Sequence, residues 1–560
     1  MRGSRGDRAY DAAIAMTSPL IDRWSRGWRG PWLAALIALI AALPGVTALP
    51  VTDRGEARLA EASAQMLETG DFTAIAVDDQ APDRRPAGLH WLQAAAVAAV
   101  SNPEARQIWA YRLPAVLGAM LMAAAAAWGG AALFGPAAGL LAGAMLGSSF
   151  LLSTAGAVDA PASLTGAGVT LAVSALGRLY LASGGTLDSG RATRAALWLG
   201  VALAALAGGP AGPAAVALAG AGLWLIDRRA PWLRSLGWGW GLILAAALVG
   251  PSLVAGGISA NEGAAPAWPG LGGGPRTPGL HLLLAPLLAF PLTLLLPAGL
   301  ALAWRGRSEP AVKLCLCWLV PSWLMLEFGR GQPLAGGLIA YGALAWLGAG
   351  AFARGAGGGA LKVGAGLQLL AGAAWIAGVL YLATRFGAAG AAGWSLLAAV
   401  GIGGAALAAI GLAAGRMAGL APWRALAAVC ALGLVAHGVV LAGVGPRLSA
   451  LWVSQRLAAA LGRAGLDPRS GVTPGPVAVC GYGEPSLTFL LGGLTEVVPA
   501  NEAADAIGEG RPAVIEARQE AAFLAALQAG RRQARMVGEV DGFNYAKTAP
   551  VALKIYAARP

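Results

Sequence analysis

The sequence predicts a polytopic α-helical membrane protein with a small C-terminal α/β domain outside the cytoplasm. Three observations predict it. Of the 560 residues 57% are hydrophobic and only 12% are charged, against about a quarter in soluble domains; mean hydropathy is +0.63. Uncharged apolar runs, near the roughly 20 residues that cross a hydrocarbon core, recur along most of the chain. From Pro446 onward the composition returns to that of a soluble domain.

Residues 1–30 carry Arg2, Arg5, Arg8, Arg23, Arg26 and Arg29 and read as a basic cytoplasmic tail. The apolar run Trp32 to Pro50 follows. Val46-Thr47-Ala48 loosely resembles a leader cleavage site, but the leader would be unusually long and no free-standing secreted domain follows. The run is therefore expected to be an uncleaved first membrane helix. Spans are expected near 31–50, 110–133, 137–156, 160–182, 194–209, 211–227, 236–256, 280–304, 310–327, 334–352, 361–383, 389–413 and 421–445, about 13 transmembrane helices in a domain over 31–445. The two short spans flanking Gly208-Gly209-Pro210 could instead form a single broken helix.

Arginine in cytoplasmic loops sets orientation. With the basic terminus inside, Arg191/Arg194, Arg228/Arg229/Arg234, Arg305/Arg307, Arg354/Lys362 and Arg416/Arg424 all land inside as well. The outer loop 51–109, the turn at Asp159, the loop 257–279, the turn 328–333 and everything after Gly445 land outside. Merging the two short spans would invert every later loop. In the extracytoplasmic segment 446–560, strands are expected at 477–480, 495–498, 513–515 and 551–556, with helices at 484–491, 500–508 and 520–530. Gly481-Tyr482-Gly483 lacks a full nucleotide-loop pattern and reads as a tight strand-to-helix turn.

The formal net charge of +12 is accounted for by orientation; no basic stripe interleaved with aromatics appears, and nucleic acid is not an expected partner. Cys315 and Cys317 share one apolar span, Cys430 lies in another and Cys480 stands alone, so no disulfide framework is expected. With His90, His281 and His437 as the only histidines, no metal spacing is visible, and no cofactor is expected.

Chemistry-bearing residues gather in the outer loop. They run Asp53-Arg54-Gly55-Glu56-Ala57-Arg58, then Gln65 to Phe72, then Arg84-Arg85-Pro86 into Leu89-His90-Trp91-Leu92. Helix 56–67 is expected to lie along the membrane surface. Together with Ala110-Tyr111-Arg112-Leu113-Pro114, Pro278 to Leu283 before Phe290-Pro291, Pro485-Ser486-Leu487 and Gly542-Phe543-Asn544-Tyr545, this order resembles the aminoarabinose transferase and protein O-mannosyltransferase group. These are membrane glycosyltransferases of the GT-C fold. The likeness spans nearly the whole chain. It departs from the family at Gly55, where an Asp is usual, at Arg85 for a Lys, at Ala157 for a Lys, and at Gly331-Gln332-Pro333-Leu334-Ala335 for a lysine- and histidine-bearing turn.

The resemblance implies transfer of a sugar from a polyprenyl-phosphate carrier to a lipid, glycan or protein acceptor, at the periplasmic face of a bacterial inner membrane. Glycosyl transfer needs a base for the acceptor's proton and cations for the departing phosphate. Asp53 is the first candidate base and Glu56 the second, on one helical face with Arg58 nearby; an adjacent arginine is expected to keep such a carboxylate ionised. Asp159 is the further acid, and with Asp53 it could serve a divalent ion, as some members of the wider fold use. Arg58, Arg85 and Arg276 are candidates for the donor phosphate, Arg85 through its planar fork, and His90, Trp91 and His281 for the substrate cavity. Plainer readings stand beside these: Asp53 and Glu56 as helix N-terminal acids, Arg85 as a headgroup anchor, His90 as a packing group. The rival functions are a lipid-linked-sugar transporter, which would show paired repeats with broken helices, and a non-catalytic lipid-binding or scaffold relative, which the loss at Gly55 would suit.

Overall fold

The computed structural model describes residues 19–73, 87–182, 190–228, 230–260, 276–329, 333–355, 358–417, 422–471 and 474–559. Among them nine helices are long and apolar enough to cross a membrane, and two sharply bent helix pairs raise the number to eleven. Both bent pairs were expected as single spans. Pro136–Gly147 and Phe150–Val158 meet at 59°; the Ser149 side chain accepts the Leu152 N–H and so starts a new helix at the break. Leu280–Leu288 and Leu292–Arg305 lie 111° apart. Pro291 sits between them, supplying no N–H and disfavouring helical backbone at Phe290.

The short spans around Gly208-Gly209-Pro210 form two helices, Arg191–Gly208 and Ala211–Asp227, packed on each other. Gly209 at φ +66° lets the chain turn between them. Neither is among the eleven, and a single broken helix does not form. The outer loop also differs from expectation. Besides the expected helix, seen as Gly55–Thr69, it holds a second, apolar helix, Ala87–Val100, too short to cross.

Lipid tails offer no hydrophobic drive for helix association, so close approach and interhelical hydrogen bonds must supply it. Small residues allow that approach. A Cβ on Gly168 would sit 2.5 Å from the Ala204 nitrogen, and one on Gly200 2.6 Å from the Gly168 carbonyl. Indole N–H groups bond carbonyls across helices, Trp346 to Ala126 at 2.7 Å and Trp318 to Ile339 at 2.8 Å.

The bundle has two chemically different ends. At one, Lys313 pairs with Asp227 at 2.7 Å, Tyr180 donates to the same carboxylate, and Arg354 pairs with Glu309. The helices that bring Tyr180 and Lys313 there, Ala160–Ala182 and Pro310–Phe328, carry Asp159 and Glu327 at their other ends. That second end also holds the C-terminus of helix Arg29–Ala48, the outer-loop helices and the C-terminal domain. Leu59 of helix Gly55–Thr69 packs with Ala160 and Leu164, and Gly45 lies against Ala157.

The C-terminal domain is one five-stranded sheet in the order β2-β1-β3-β5-β4, from β1 Val477–Cys480, β2 Thr495–Val497, β3 Ala513–Glu516, β4 Ala534–Asn544 and β5 Ala549–Ala558. β1 pairs in parallel with β2 and β3, while β5 runs antiparallel to β3 and β4. The expected helices appear as Pro485–Leu490, Ala500–Gly508 and Glu520–Ala529. Strand β4 was not expected. Its Gly538 and Gly542 and its charged Arg535, Glu539 and Asp541 mask the alternation, as suits an edge strand. Helix Val453–Arg463 covers one face of the sheet through Val453, Leu457 and Leu461.

Arg106 ties this domain to the outer loop. Its guanidinium pairs with Glu61 at 2.6 Å and Glu68 at 2.7 Å, and lies over the Phe489 ring. Arg106 is 5% exposed and Glu61 not at all, so removing the cation leaves a buried charge. Arg106→Leu is expected to lower stability by about 3–5 kcal/mol, read as a fall in the thermal midpoint of the detergent-solubilised protein.

Candidate functional site

Helix Arg29–Ala48 ends at Leu49, whose extended backbone leads into Pro50. The carbonyls there would be orphaned at a helix terminus. Arg112, at the start of helix Leu113–Phe134, satisfies them: its guanidinium donates to the carbonyls of Gly45, Val46, Leu49 and Pro50. It also donates to both oxygens of Glu56, at 2.5 and 3.0 Å. Glu56 completes its shell with the Thr52 N–H and hydroxyl at 2.8 and 2.9 Å. The segment 50–56 is therefore strung between two anchors, with Asp53 at its crest.

Asp53 and Glu56 do not share a face. Asp53 precedes the helix and turns to the C-terminal domain; Glu56 turns into the bundle. The Asp53 carboxylate accepts the Ser486 hydroxyl, and its backbone N–H donates to the Tyr545 hydroxyl. Behind Ser486, Ser454 lies at 2.6 Å and the Tyr482 hydroxyl 2.8 Å further on. Arg54, at φ +61°, a region few non-glycine residues occupy, pairs with buried Glu484, which Asn544 also bonds at 2.8 Å.

Burial dominates the electrostatics of Asp53. It pushes the carboxyl from its ordinary 3.8 up to about 6, with the Glu484 charge adding to it. The hydrogen bonds from Ser486 and Tyr545 and the charge of Arg54 oppose the rise without cancelling it. The expectation that an adjacent arginine keeps this acid low is corrected: Arg54 spends its charge on Glu484, and desolvation wins.

The other sequence candidates fall as follows. Asp159 caps helix Ala160–Ala182, accepting the Ala162 N–H at 3.0 Å. It stands at the same end of the bundle as Asp53. Arg58 and Arg276 are exposed at that end; Arg85 lies outside the described residues. His90 is wholly buried between the two outer-loop helices, beside Ser63, which is held in turn by Gln93 at 2.8 Å. Trp91 is partly exposed and donates its indole N–H to the Phe72 carbonyl. His281 is buried next to Glu327, 3.9 Å away, whose carboxylate caps helix Leu280–Leu288 through the N–H groups of Gly279 and Leu282. Among the described residues no group of three or more His, Cys, Asp or Glu side chains could hold a metal ion. A cavity of about 410 Å³, lined by Trp198, Trp224, Trp232 and Trp238 among other apolar residues, lies towards the Tyr180 end and offers no reactive group.

Sequence reasoning did not assign roles to Arg112, Glu484, Ser486, Ser454, Tyr482 or Tyr545. A signal existed for three of them, since Arg112, Ser486 and Tyr545 each fall inside a stretch that carries the family resemblance. Gly481, at φ +90°, makes the expected strand-to-helix turn. A Cβ there would meet the Glu516 carboxylate at 2.7 Å.

No protein-family model matches the sequence and no curated protein matches it. The structure does match. ArnT from Cupriavidus metallidurans in the apo state superposes with a TM-score of 0.71 at 17% identity, over 93% of this chain and 97% of that one. ArnT from the same organism bound to undecaprenyl phosphate gives 0.69 at 16% identity, over the same shares. The chain shares the ArnT fold over 93% of its length, the fold that the loop residues had suggested.

The raised carboxyl has a stability consequence. The folded protein binds the Asp53 proton more tightly than the unfolded chain, so this contribution is fully present below about pH 4 and lost as pH rises through about 6. Asp53→Asn, permanently neutral, is expected to raise the thermal midpoint relative to wild type above about pH 6 and to leave it unchanged below about pH 4. Melting curves across that range check it.

Proposed function

We propose that this chain is a membrane glycosyltransferase. It moves a sugar from a polyprenyl-phosphate carrier to a lipid, glycan or protein acceptor at the periplasmic face of a bacterial inner membrane. The observation that carries the reading is Asp53, an acid tuned to about 6 at one end of a bundle with the ArnT fold. The ArnT structure that holds undecaprenyl phosphate supports a carrier of that class. The gathering of Tyr180, Asp227, Lys313, Arg354 and Glu309 at the opposite end supports the orientation read from the arginines. If helices Arg191–Gly208 and Ala211–Asp227 each cross, the spans number about 13, and an odd number puts the C-terminal domain opposite the amino terminus.

In this reading Asp53 takes the proton from the acceptor hydroxyl as that oxygen attacks the sugar's anomeric carbon. The bond from that carbon to the carrier phosphate breaks, and the phosphate leaves with the bonding pair. One displacement inverts the anomeric configuration. Near neutral pH most of Asp53 is ionised yet still basic, which suits a general base. Arg58 and Arg276 are the candidates to meet the charge growing on the phosphate, as is Arg85, which lies outside the described residues. Asp159 lies at the same end of the bundle, and Trp91, partly exposed, is the candidate to line the approach, while buried His281 packs beside Glu327. Glu56, with both oxygens held, anchors the loop, and buried His90 supports the helix behind it.

Release of labelled sugar from an undecaprenyl-phosphate-linked donor tests the reading. Asp53→Asn is expected to lose about 10²- to 10⁴-fold in kcat, and wild-type kcat to rise with pH through about 6. Equal turnover in both proteins would remove Asp53 from the mechanism, and turnover in neither would favour the scaffold relative. Orientation is checked separately in intact cells. Cysteine introduced at Arg58 is expected to react with a membrane-impermeant thiol reagent, and cysteine at Arg228 to be protected.

A further inference from the structure

The membrane domain supplies Asp53, but it does not hold the carboxylate. Among the described residues the side-chain partners of Asp53 come from the C-terminal domain: Ser486 at the start of helix Pro485–Leu490, and Tyr545 in the turn after β4. Ser486 is fully buried, and so nearly are Ser454 and Tyr482. A hydroxyl has one proton, so the direction of the chain follows from the charge at its end. With Asp53 ionised, Ser486 gives its proton to the carboxylate, Ser454 donates to Ser486, and Tyr482 donates to Ser454. Each donor polarises the next.

We propose that the Tyr482–Ser454–Ser486 hydroxyl chain of the C-terminal domain positions the catalytic base, holding one carboxylate oxygen of Asp53 so that the other alone receives the acceptor's proton. This deepens the glycosyltransferase reading and rests on it.

The chain cannot serve as a proton exit. It ends in a phenol 2% exposed to solvent, and burial with the charges of Asp53 and Glu484 pushes that phenol well above its ordinary range. A chain that donates but cannot accept leaves the acceptor's proton on Asp53 until it departs on the site side. The other charges facing Asp53 are already committed. Arg54 pairs with Glu484, and Glu56 pairs with Arg112. The Tyr545 phenol, raised by burial, stays neutral and favours the carboxylate. The hydroxyl chain, like Tyr545, can thus be altered without breaking an ion pair. The C-terminal domain is thereby half of the active site rather than an appendage to it.

The test uses the full-length protein and an undecaprenyl-phosphate-linked donor. Ser486→Ala is expected to lower kcat about 10- to 100-fold, as loss of orientation does, with KM for the donor unchanged. It is also expected to move the acid limb of the pH–rate profile to higher pH, because a donor to the ionised form has gone. Tyr482→Phe shifts the limb the same way by less, and Ser486→Thr restores both kcat and the limb. An unchanged kcat and unchanged limb in Ser486→Ala, with Asp53→Asn inactive, would overturn the proposal and leave the glycosyltransferase reading standing. The infrared carboxyl band of isotope-labelled aspartate, assigned by its loss in Asp53→Asn, gives a readout independent of turnover. If wild type proves inactive, a titration midpoint that rises in Ser486→Ala upholds the chain's hold on Asp53, and one that stays put overturns it.

Discussion

The end of the bundle that carries Asp53 depends on one buried guanidinium. A transmembrane helix that stops at the interface exposes its last carbonyls, and a membrane protein has little water there to satisfy them. Arg112 answers that need for helix Arg29–Ala48 by donating to four carbonyls at once, and its remaining capacity goes to Glu56. No lysine could do this, since the geometry uses the planar fork in several directions. The same contact that ends helix Arg29–Ala48 starts helix Gly55–Thr69. The short bridge between them, which carries Asp53, is left with little freedom.

Strung from that anchor, Asp53 experiences two opposing pressures. Burial in a wall made by the C-terminal domain favours the neutral acid, while hydroxyl donors from the same wall favour the anion. The balance falls near neutrality because the nearest cation, Arg54, is matched by Glu484. A free arginine beside Asp53 would have produced a strong acid and a poor base. The interdomain ion pair of Arg54 with Glu484 therefore has two roles: it docks the domain, and it keeps positive charge from over-stabilising the carboxylate, while Arg106 docks the domain through Phe489.

Much of this was legible in the residues themselves. The apolar runs mark helices because no other backbone satisfies its polar groups in hydrocarbon, and the arginine loops sort to one end. The strand and helix order of the C-terminal domain follows from alternation and turn residues, apart from the charged edge strand β4. The bends at Ser149 and Pro291 were less legible, since a hydrophobicity window averages across a break of a few residues. Helix Ala87–Val100 escaped for a related reason: fourteen residues are too few to read as a span and too apolar to read as loop.

The sequence by itself determined the class of protein, the end of the bundle that bears the acids, and Asp53 as the first of them. Tertiary structure alone decided what surrounds those acids. Glu56 lies three positions from Asp53 and carries the same chemistry, yet Arg112 claims both of its oxygens, while Asp53 faces partners more than four hundred positions away in the chain. Local pattern reports which groups are present. The proton affinity of a group is set by what surrounds it in space, and only the folded chain brings Ser486 and Tyr545 to that place.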